Sequence, residues 1–382
     1  MPQIVPDLVT GEAVLIAAFS GRALAQSARR AGYVPLVADA FGDLDTQAAA
    51  GHVRVVAGAF ANGFRTKPLV EALDSLVAAA PSKPIGLVLG SGLEDKPRLV
   101  ELIGNRYRLL GCSVEALRAC KDPRVFFPVL DELGIAHPET RMAPPASPEG
   151  WLSKRIGGSG GRHIRVCTSA IRAAPRRYFQ RRVEGQRISF SAVAADGIAM
   201  DMTRQWCAPS SSQPFRYGGA VSLPYSDAVA ERQMLGAVDQ LTRALELNGL
   251  VSFDFVVDGD TPYLLEINPR PGASLDCVDT IEGSRFHAHV SACRHGKLEQ
   301  WGGTASDGFK AAAILHADRG AVALHALDWP EWSADRGVPG SLIPLGAPIA
   351  TVFADAGTPD AAERLARQRL AELESLIYGP VS

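Results

Sequence analysis

Residues 251–268 read Val-Ser-Phe-Asp-Phe-Val-Val-Asp-Gly-Asp-Thr-Pro-Tyr-Leu-Leu-Glu-Ile-Asn. Val251, Phe253, Phe255 and Val257 alternate with Ser252, Asp254 and Val256, the period of two that a sheet with one buried face imposes. Leu265 and Ile267 alternate with Glu266 and Asn268 in the same way, and turn material, Asp258 to Pro262, lies between them. The stretch predicts an antiparallel hairpin centred near Asp260. A symmetric hairpin sets Asp254 opposite Glu266 with Cβ atoms about 5 Å apart. Asn268 then lies two residues further along the same face. Facing like charges destabilise a sheet unless a cation or a proton sits between them. Two carboxylates and an amide oxygen suit Mg²⁺, a hard cation usually completed by water and phosphate oxygens. The plainer alternative is a surface hairpin whose acids point to water.

A second stretch, Trp151-Leu-Ser-Lys-Arg-Ile-Gly-Gly-Ser-Gly-Gly-Arg-His-Ile-Arg-Val166, joins two strand-like segments by four glycines and a serine. Successive glycine N–H groups can cradle phosphate oxygens, and Lys154 adds a point charge. A flexible hairpin tip is the competing reading. The same residues spell GxSxG around Ser159, but a nucleophile elbow needs a helix after the turn, and Arg162 to Val166 reads as a strand. Neither the HRD and DFG runs of a kinase nor a Walker A sequence is present. A third group, His287, His289, Cys293 and His295, sits on a helical stretch where His289 and Cys293 share a face, a spacing open to a soft metal or to ordinary histidines.

Working outward, the first 110 residues alternate strands (Ala13 to Phe19, Val34 to Ala38, Val53 to Val56, Ile85 to Leu89) with helices (Arg22 to Ala31, Pro68 to Ala80). That order predicts a doubly wound parallel α/β domain. Ligands of such domains sit beyond the carboxyl ends of the strands, where Ser20, Asp39, Ser91 and Glu94 fall. The first turn lacks GxGxxG, so a Rossmann dehydrogenase is not expected. Helices follow at Ser113 to Cys120 and Arg124 to Leu133, then a Pro-rich stretch and strands at Tyr178 to Val183 and Ile188 to Ala194. A helix is expected at Tyr225 to Glu246. The last 70 residues carry strand-like runs at Ala311 to His316, Ala321 to Leu327 and Ile349 to Phe353, and a charged helix at Asp360 to Ile377.

Composition bounds the function classes. The chain has 382 residues, 47% hydrophobic and 21% charged, with a formal net charge of −2. A disordered tail, a collagen-like fibre and a disulfide scaffold are excluded. No global field recruits nucleic acid or an anionic membrane, although basic residues cluster between Lys154 and Arg187. Six cysteines without CxxC spacing read as free thiols of a reducing compartment. No leader pattern opens the sequence and no apolar run approaches the roughly 20 residues of a membrane span, so a cytoplasmic protein is expected.

Taken together, the glycine hairpin and the acidic hairpin resemble the ATP-grasp superfamily. Ala119-Cys-Lys-Asp122 with Leu133-Gly-Ile-Ala-His-Pro-Glu-Thr140 is similar to the family's lysine-bearing helix and following turn. Leu152 to Gly161 is similar to its second ATP lysine and phosphate loop, and Tyr178 to Gly185 to its adenine hinge. Leu265-Glu-Ile-Asn-Pro-Arg270, with Asp254 upstream, is similar to its metal signature. The resemblance implies an ATP-grasp fold: an N-terminal doubly wound parallel-sheet domain (1–112), an ATP-grasp domain (113–300) with a flexible lid near 138–184, and a mixed α+β C-terminal segment (301–382). It implies that Lys121, Lys154 and the loop Gly157, Gly158, Ser159, Gly160 and Gly161 hold ATP phosphates. Gln180, Arg181, Val183 and Glu184 would line the adenosine. Asp254, Glu266 and Asn268 would hold two Mg²⁺ ions, Arg270 and Lys154 would act in catalysis, and Ser20, Ser91 and Glu94 would face substrate.

Three positions depart from the family. Gln180 stands where glutamate is common, Arg187 where many members place a ribose-binding glutamate, and Ser274 where carboxylases carry the base that deprotonates bicarbonate. The implied activity is a carboxylate–amine ligase working through an acyl phosphate on small-molecule acid and amine substrates, with a homodimer as its implied assembly. A branch labelled predicted carboligase in methanogens and methylotrophs is also similar, which implies a role in making one-carbon cofactors of tetrahydromethanopterin or methylofuran type. A biotin-carboxylase-type enzyme and a non-catalytic ATP-binding regulator are the alternatives.

Overall fold

A computed structural model describes residues 11–168, 173–299 and 308–379. The N-terminal heptapeptide read for a leader lies outside them. Strands Ala13–Ala17, Val34–Asp39, His52–Val55, Leu87–Leu89 and Leu109–Leu110 form one parallel sheet. The first strand lies at its centre, between Val34–Asp39 and Leu87–Leu89. Its five residues are all buried, as expected of a strand covered on both faces. The chain leaves it in opposite directions on either side, which opens the crevice of a doubly wound sheet beside Phe19 and Ser91. There the Phe19 N–H donates to the Ser91 carbonyl at 2.8 Å.

The second sheet has eight strands, all antiparallel. Its order is Thr261–Asn268, Gly249–Asp258, Gln186–Ala194, Ile198–Cys207, Tyr217–Leu223, Phe309–His316, Pro348–Ala356 and Ser333–Ala334. The acidic hairpin forms one end. The C-terminal strands continue this sheet through pairing of Tyr217–Leu223 with Phe309–His316. Helix Val229–Ala244 covers the hairpin side through Met234, Val238 and Leu241, and helix Pro359–Tyr378 covers the C-terminal side through Ala362, Ala366 and Leu373.

A third, four-stranded antiparallel sheet carries the glycine loop, in the order Thr140–Arg141, Arg177–Arg181, Trp151–Arg155, Arg165–Val166. The strand expected from Arg162 is reduced to Arg165–Val166 because turn residues occupy 161–163. The run at Ala321 to Leu327 likewise shrinks to Val322–Ala323. The helix expected from Tyr225 starts at Val229, since the Ser226 N–H and hydroxyl are drawn into bonds with Glu231.

The hairpin itself contains a register shift. Asp258 pairs with Thr261 around a two-residue turn in which Gly259 has φ +56°, and Phe255 pairs with Leu264. Continued without interruption, that register would set Asp254 against Leu265 and turn Glu266 to the opposite face. Leu265 instead bulges out, and Asp254 faces Glu266.

Candidate active site

Between the four-stranded sheet and the hairpin runs an open cleft lined by Lys121, Phe126, Arg155, Gly157, Gly158, Tyr178 and Glu266, among others. Lys121 closes the helix Val114–Lys121, whose start is capped by Ser113. Its Nζ donates to Asn268 Oδ1 at 2.7 Å and lies 3.7 Å from Glu266 Oε2. The Asn268 amide donates to Asp254 Oδ2 at 3.1 Å and to Glu266 Oε1 at 3.4 Å. The structure thus brings together the four residues that the sequence placed around one charge site.

Electrostatics divide the two carboxyl groups. Burial would raise Glu266, but the charges of Lys121 and Lys154, joined in acid by that of protonated His163, outweigh it and hold the group near 2. Asp254 moves the other way: burial, then the neighbouring Glu266 charge, pushes it up to about 6. A facing pair in which one member retains its proton toward neutrality suits a divalent cation, and its donor set of carboxylate and amide oxygens fits Mg²⁺.

Lys154 enters from the lid strand and is buried. Its Nζ donates to Gln180 Oε1 at 2.6 Å, and Gln180 Nε2 donates to Thr140 Oγ1 at 3.1 Å. Glutamine at 180 therefore accepts from the lysine without neutralising it. Burial, with no acid in direct contact, lowers the ammonium to about 8.

The glycine loop is docked on both sides. A Cβ at Gly157 would lie 2.7 Å from Asp95 Cα, and one at Gly161 would collide with the Phe215 carbonyl. The Tyr217 N–H donates to the Gly160 carbonyl at 3.1 Å. Gly158 leaves room for the His163 ring, which burial and the two lysines lower to about 4, so it is neutral at pH 7. His163 belongs to this site and was not singled out from the sequence. Its only signal there was its place two residues past the glycines.

Ser159 lies in a turn with no helix behind it, which removes the nucleophile-elbow context. Ser159→Ala should change turnover less than about threefold, because the loop offers backbone N–H groups. Full loss of chemistry with ATP binding intact would restore Ser159 as a nucleophile.

Other expectations need correction. Arg270 does not present an open fork: Nε donates to Glu94 Oε1 at 2.7 Å and Nη1 to the Pro271 carbonyl at 2.9 Å. Glu94 is buried, takes the Gly92 N–H at 2.6 Å, and is held low by Arg270 and Lys121 against its burial. It orients Arg270 and leaves Nη2 for a ligand. Ser20 bonds Asp335 Oδ1 at 3.2 Å, beside the buried Arg22–Asp276 and Arg22–Asp335 ion pairs, so it too is engaged. Ser91 is partly exposed at the sheet crevice. Glu184 is exposed and pairs with Arg182 at 2.6 Å, Arg181 is exposed and lies over Trp151, and Val183 is half-buried. These three, expected beside the adenosine, lie at the end of the strand Arg177–Arg181 and in the loop that follows it.

His289 is no metal ligand. Its Nδ1 accepts the Leu250 N–H at 2.8 Å and its Nε2 bonds the Leu110 carbonyl at 3.1 Å, while His287 bonds the Tyr33 hydroxyl at 3.0 Å. Both nitrogens of His289 are spent on backbone.

Residues 120–274 match the family model of the ATP-grasp domain. That match covers less than half of the chain. Among curated proteins, the chain is 25% identical over 270 residues to the carbamoyl phosphate synthase large chain of Myxococcus xanthus, covering 63% of this chain and 25% of that one. The corresponding protein of Thermoanaerobacter pseudethanolicus is 22% identical over 241 residues, covering 55% and 22%. The chain thus spans about a quarter of the length of these relatives. Solved ATP-grasp structures share the fold over nearly the whole chain. N5-carboxyaminoimidazole synthetase from Staphylococcus aureus, complexed with ADP, superposes with TM-score 0.67 at 15% identity, covering 94% and 97%. Phosphoribosylamine–glycine ligase from Thermotoga maritima gives 0.68 at 16%, covering 94% and 96%. Biotin carboxylase from Campylobacter jejuni gives 0.66 at 14%, covering 94% and 91%. No described helix is long and apolar enough to cross a membrane.

Proposed function

We propose that this ATP-grasp protein is a ligase that phosphorylates a small carboxylic acid with ATP and passes the acyl group to an amine, releasing ADP and phosphate. The observation that carries the reading is the convergence of Lys121, Lys154, Glu266, Asp254 and Asn268 under one glycine loop. Neighbours of this fold that hold ADP support ATP as the phosphoryl donor.

Asp254, Glu266 and Asn268 would hold Mg²⁺, which when bound supplies charge neutralisation at the phosphate oxygens. Lys121 and Lys154 hold the transferred phosphate from two sides. The loop from Gly157 to Gly161 covers it with backbone N–H groups and excludes water. Arg270, fixed by Glu94, offers Nη2 to the substrate carboxylate and stabilises charge as that oxygen attacks phosphorus. The amine then displaces phosphate from the acyl phosphate.

The carboxylase alternative needs a base within reach of bicarbonate. Ser274, at that position, is a buried alcohol that stays protonated near neutral pH. ADP formation measured with labelled bicarbonate, beside a panel of acids and amines, tests the choice. We expect no bicarbonate-dependent ADP release and acid-dependent release with the matching pair. Stable incorporation of label would overturn the ligase reading, and ATP binding without turnover under any acid would favour a regulator. The one-carbon setting stays with the sequence resemblance, and pterin- and furan-type acids enter the panel on that account. Cytoplasmic location and a homodimer are part of the same proposal.

A further inference from the structure

The carboxyl end of the parallel sheet carries phenyl rings that the phosphate chemistry does not use. Phe19 follows the first strand, Phe41 the second, and Phe60 and Phe64 the third. Phe64 stacks on Phe19 with centroids 5.4 Å apart, Phe60 meets Phe19 edge-on at 5.6 Å, and Phe41 leans on Phe60 at 5.0 Å. Phe64 is buried, yet Phe41 is 38% exposed and Phe60 and Phe19 are only half-buried. Apolar ring surface left in water is unfavourable, and a flat ligand would cover it.

Two contacts tie this shelf to the reacting centre. Arg162, the first residue past the glycines, stands over Phe60 with its guanidinium carbon 4.6 Å from the ring centroid. Gly92 lies so close to Phe19 that a Cβ would be 2.7 Å from the ring, and Glu94, two residues on, holds Arg270. The shelf and Arg270 are thus joined by consecutive contacts through Phe19, Gly92 and Glu94 at the carboxyl end of one sheet.

We propose that the acid substrate carries a flat aromatic or heteroaromatic ring, which stacks on the Phe41–Phe60 shelf while its carboxylate meets Arg270 Nη2. This rests on the ligase reading and names the substrate class of the same site. A guanidinium over the shelf favours the negative face of an aromatic ring over a saturated ring of equal size. Closure of the glycine loop and seating of the ring are then coupled through Arg162.

The test is calorimetric titration of the full chain, loaded with Mg²⁺ and a non-hydrolysable ATP analogue, using benzoate, naphthoate, cyclohexanecarboxylate and octanoate as probes. Naphthoate and benzoate should bind about fivefold or more tighter than cyclohexanecarboxylate. Phe41→Leu, an exposed apolar exchange that the fold tolerates, should remove most of that preference while leaving analogue affinity unchanged, and Phe60→Leu, which also loses the Arg162 contact, should remove it as well. Equal binding of saturated and aromatic acids, a preference that survives both substitutions, or no acid binding at all overturns the shelf. The same titrations without nucleotide separate the two readings. Aromatic preference in a chain that never binds the analogue would defeat the ligase and keep the shelf, and analogue binding without aromatic preference would defeat the shelf alone.

Discussion

Glu266→Gln should lower acid-dependent ADP release by about a thousandfold, the scale set by removing a group that stabilises charge at the reacting phosphate. It should also raise the Mg²⁺ concentration needed for what turnover remains. Repulsion from Asp254 alone would leave the metal-free protein unchanged or slightly stabilised by the exchange. The lysines reverse that sign. Glu266 is held near 2 because Lys121 and Lys154, and in acid protonated His163, favour its charge more than burial opposes it. A group whose pKa is depressed on folding contributes stability above its unfolded value, and that stability is lost as pH falls through the folded one. The metal-free variant should therefore lose on the order of 2 kcal/mol at neutral pH. The wild type should lose the same contribution between about pH 4.5 and 2. Denaturant melts of both proteins at pH 7 and pH 3 measure it. Full activity in a destabilised variant would make the carboxylate structural only.

Lys154→Met should abolish nucleotide binding or turnover, since an apolar stem supplies no charge to a desolvated phosphate. Burial lowers Lys154 from 10.5 to about 8, and this gives the pH signature. Between about pH 8 and 10.5 the folded chain binds fewer protons here than the unfolded chain, so the ligand-free protein gains stability as pH rises through that window. ATP requires the charged form, so its affinity should fall over the same window. Near pH 8 ATP binding should take up a proton at this site. Calorimetry in buffers of differing ionisation enthalpy reads that uptake, and its persistence in Lys154→Met would assign it elsewhere. Unchanged ATP affinity and turnover in the variant would overturn the site.

Local periodicity made the hairpin, the lid lysine and the glycine loop legible. Alternation fixes which face a side chain takes, and glycine runs mark backbone that must approach something closely. The Asp254–Glu266 pairing follows from a symmetric hairpin about Asp260, yet the chain reaches it through a tight turn at Gly259–Asp260 and a bulge at Leu265. Two errors of one residue cancel. Strands Ile198–Cys207 and Tyr217–Leu223 are weakly marked in the sequence: the Ile198, Met200, Met202 alternation of the first breaks off at Arg204, and the second opens on Gly218 and Gly219, poor strand formers. Nothing local announces that Glu94 pairs with Arg270 from 176 positions away. The same holds for Ser20 and Asp335, and for the docking of the glycines against Asp95 and Phe215.

The continuation of the hairpin's sheet into the C-terminal strands bears on how portable the nucleotide-binding unit is. The stretch that matches the domain family, 120–274, ends before Phe309–His316, the strand that covers Tyr217–Leu223. Cut out by itself, it would present that strand's unpaired N–H and C=O groups to solvent, a template for edge-to-edge association. It would also strand Arg216, whose buried guanidinium is neutralised by Asp318 at 2.6 Å, immediately behind the segment that docks the glycine loop. Recombining this unit with another scaffold therefore means carrying the C-terminal strands along.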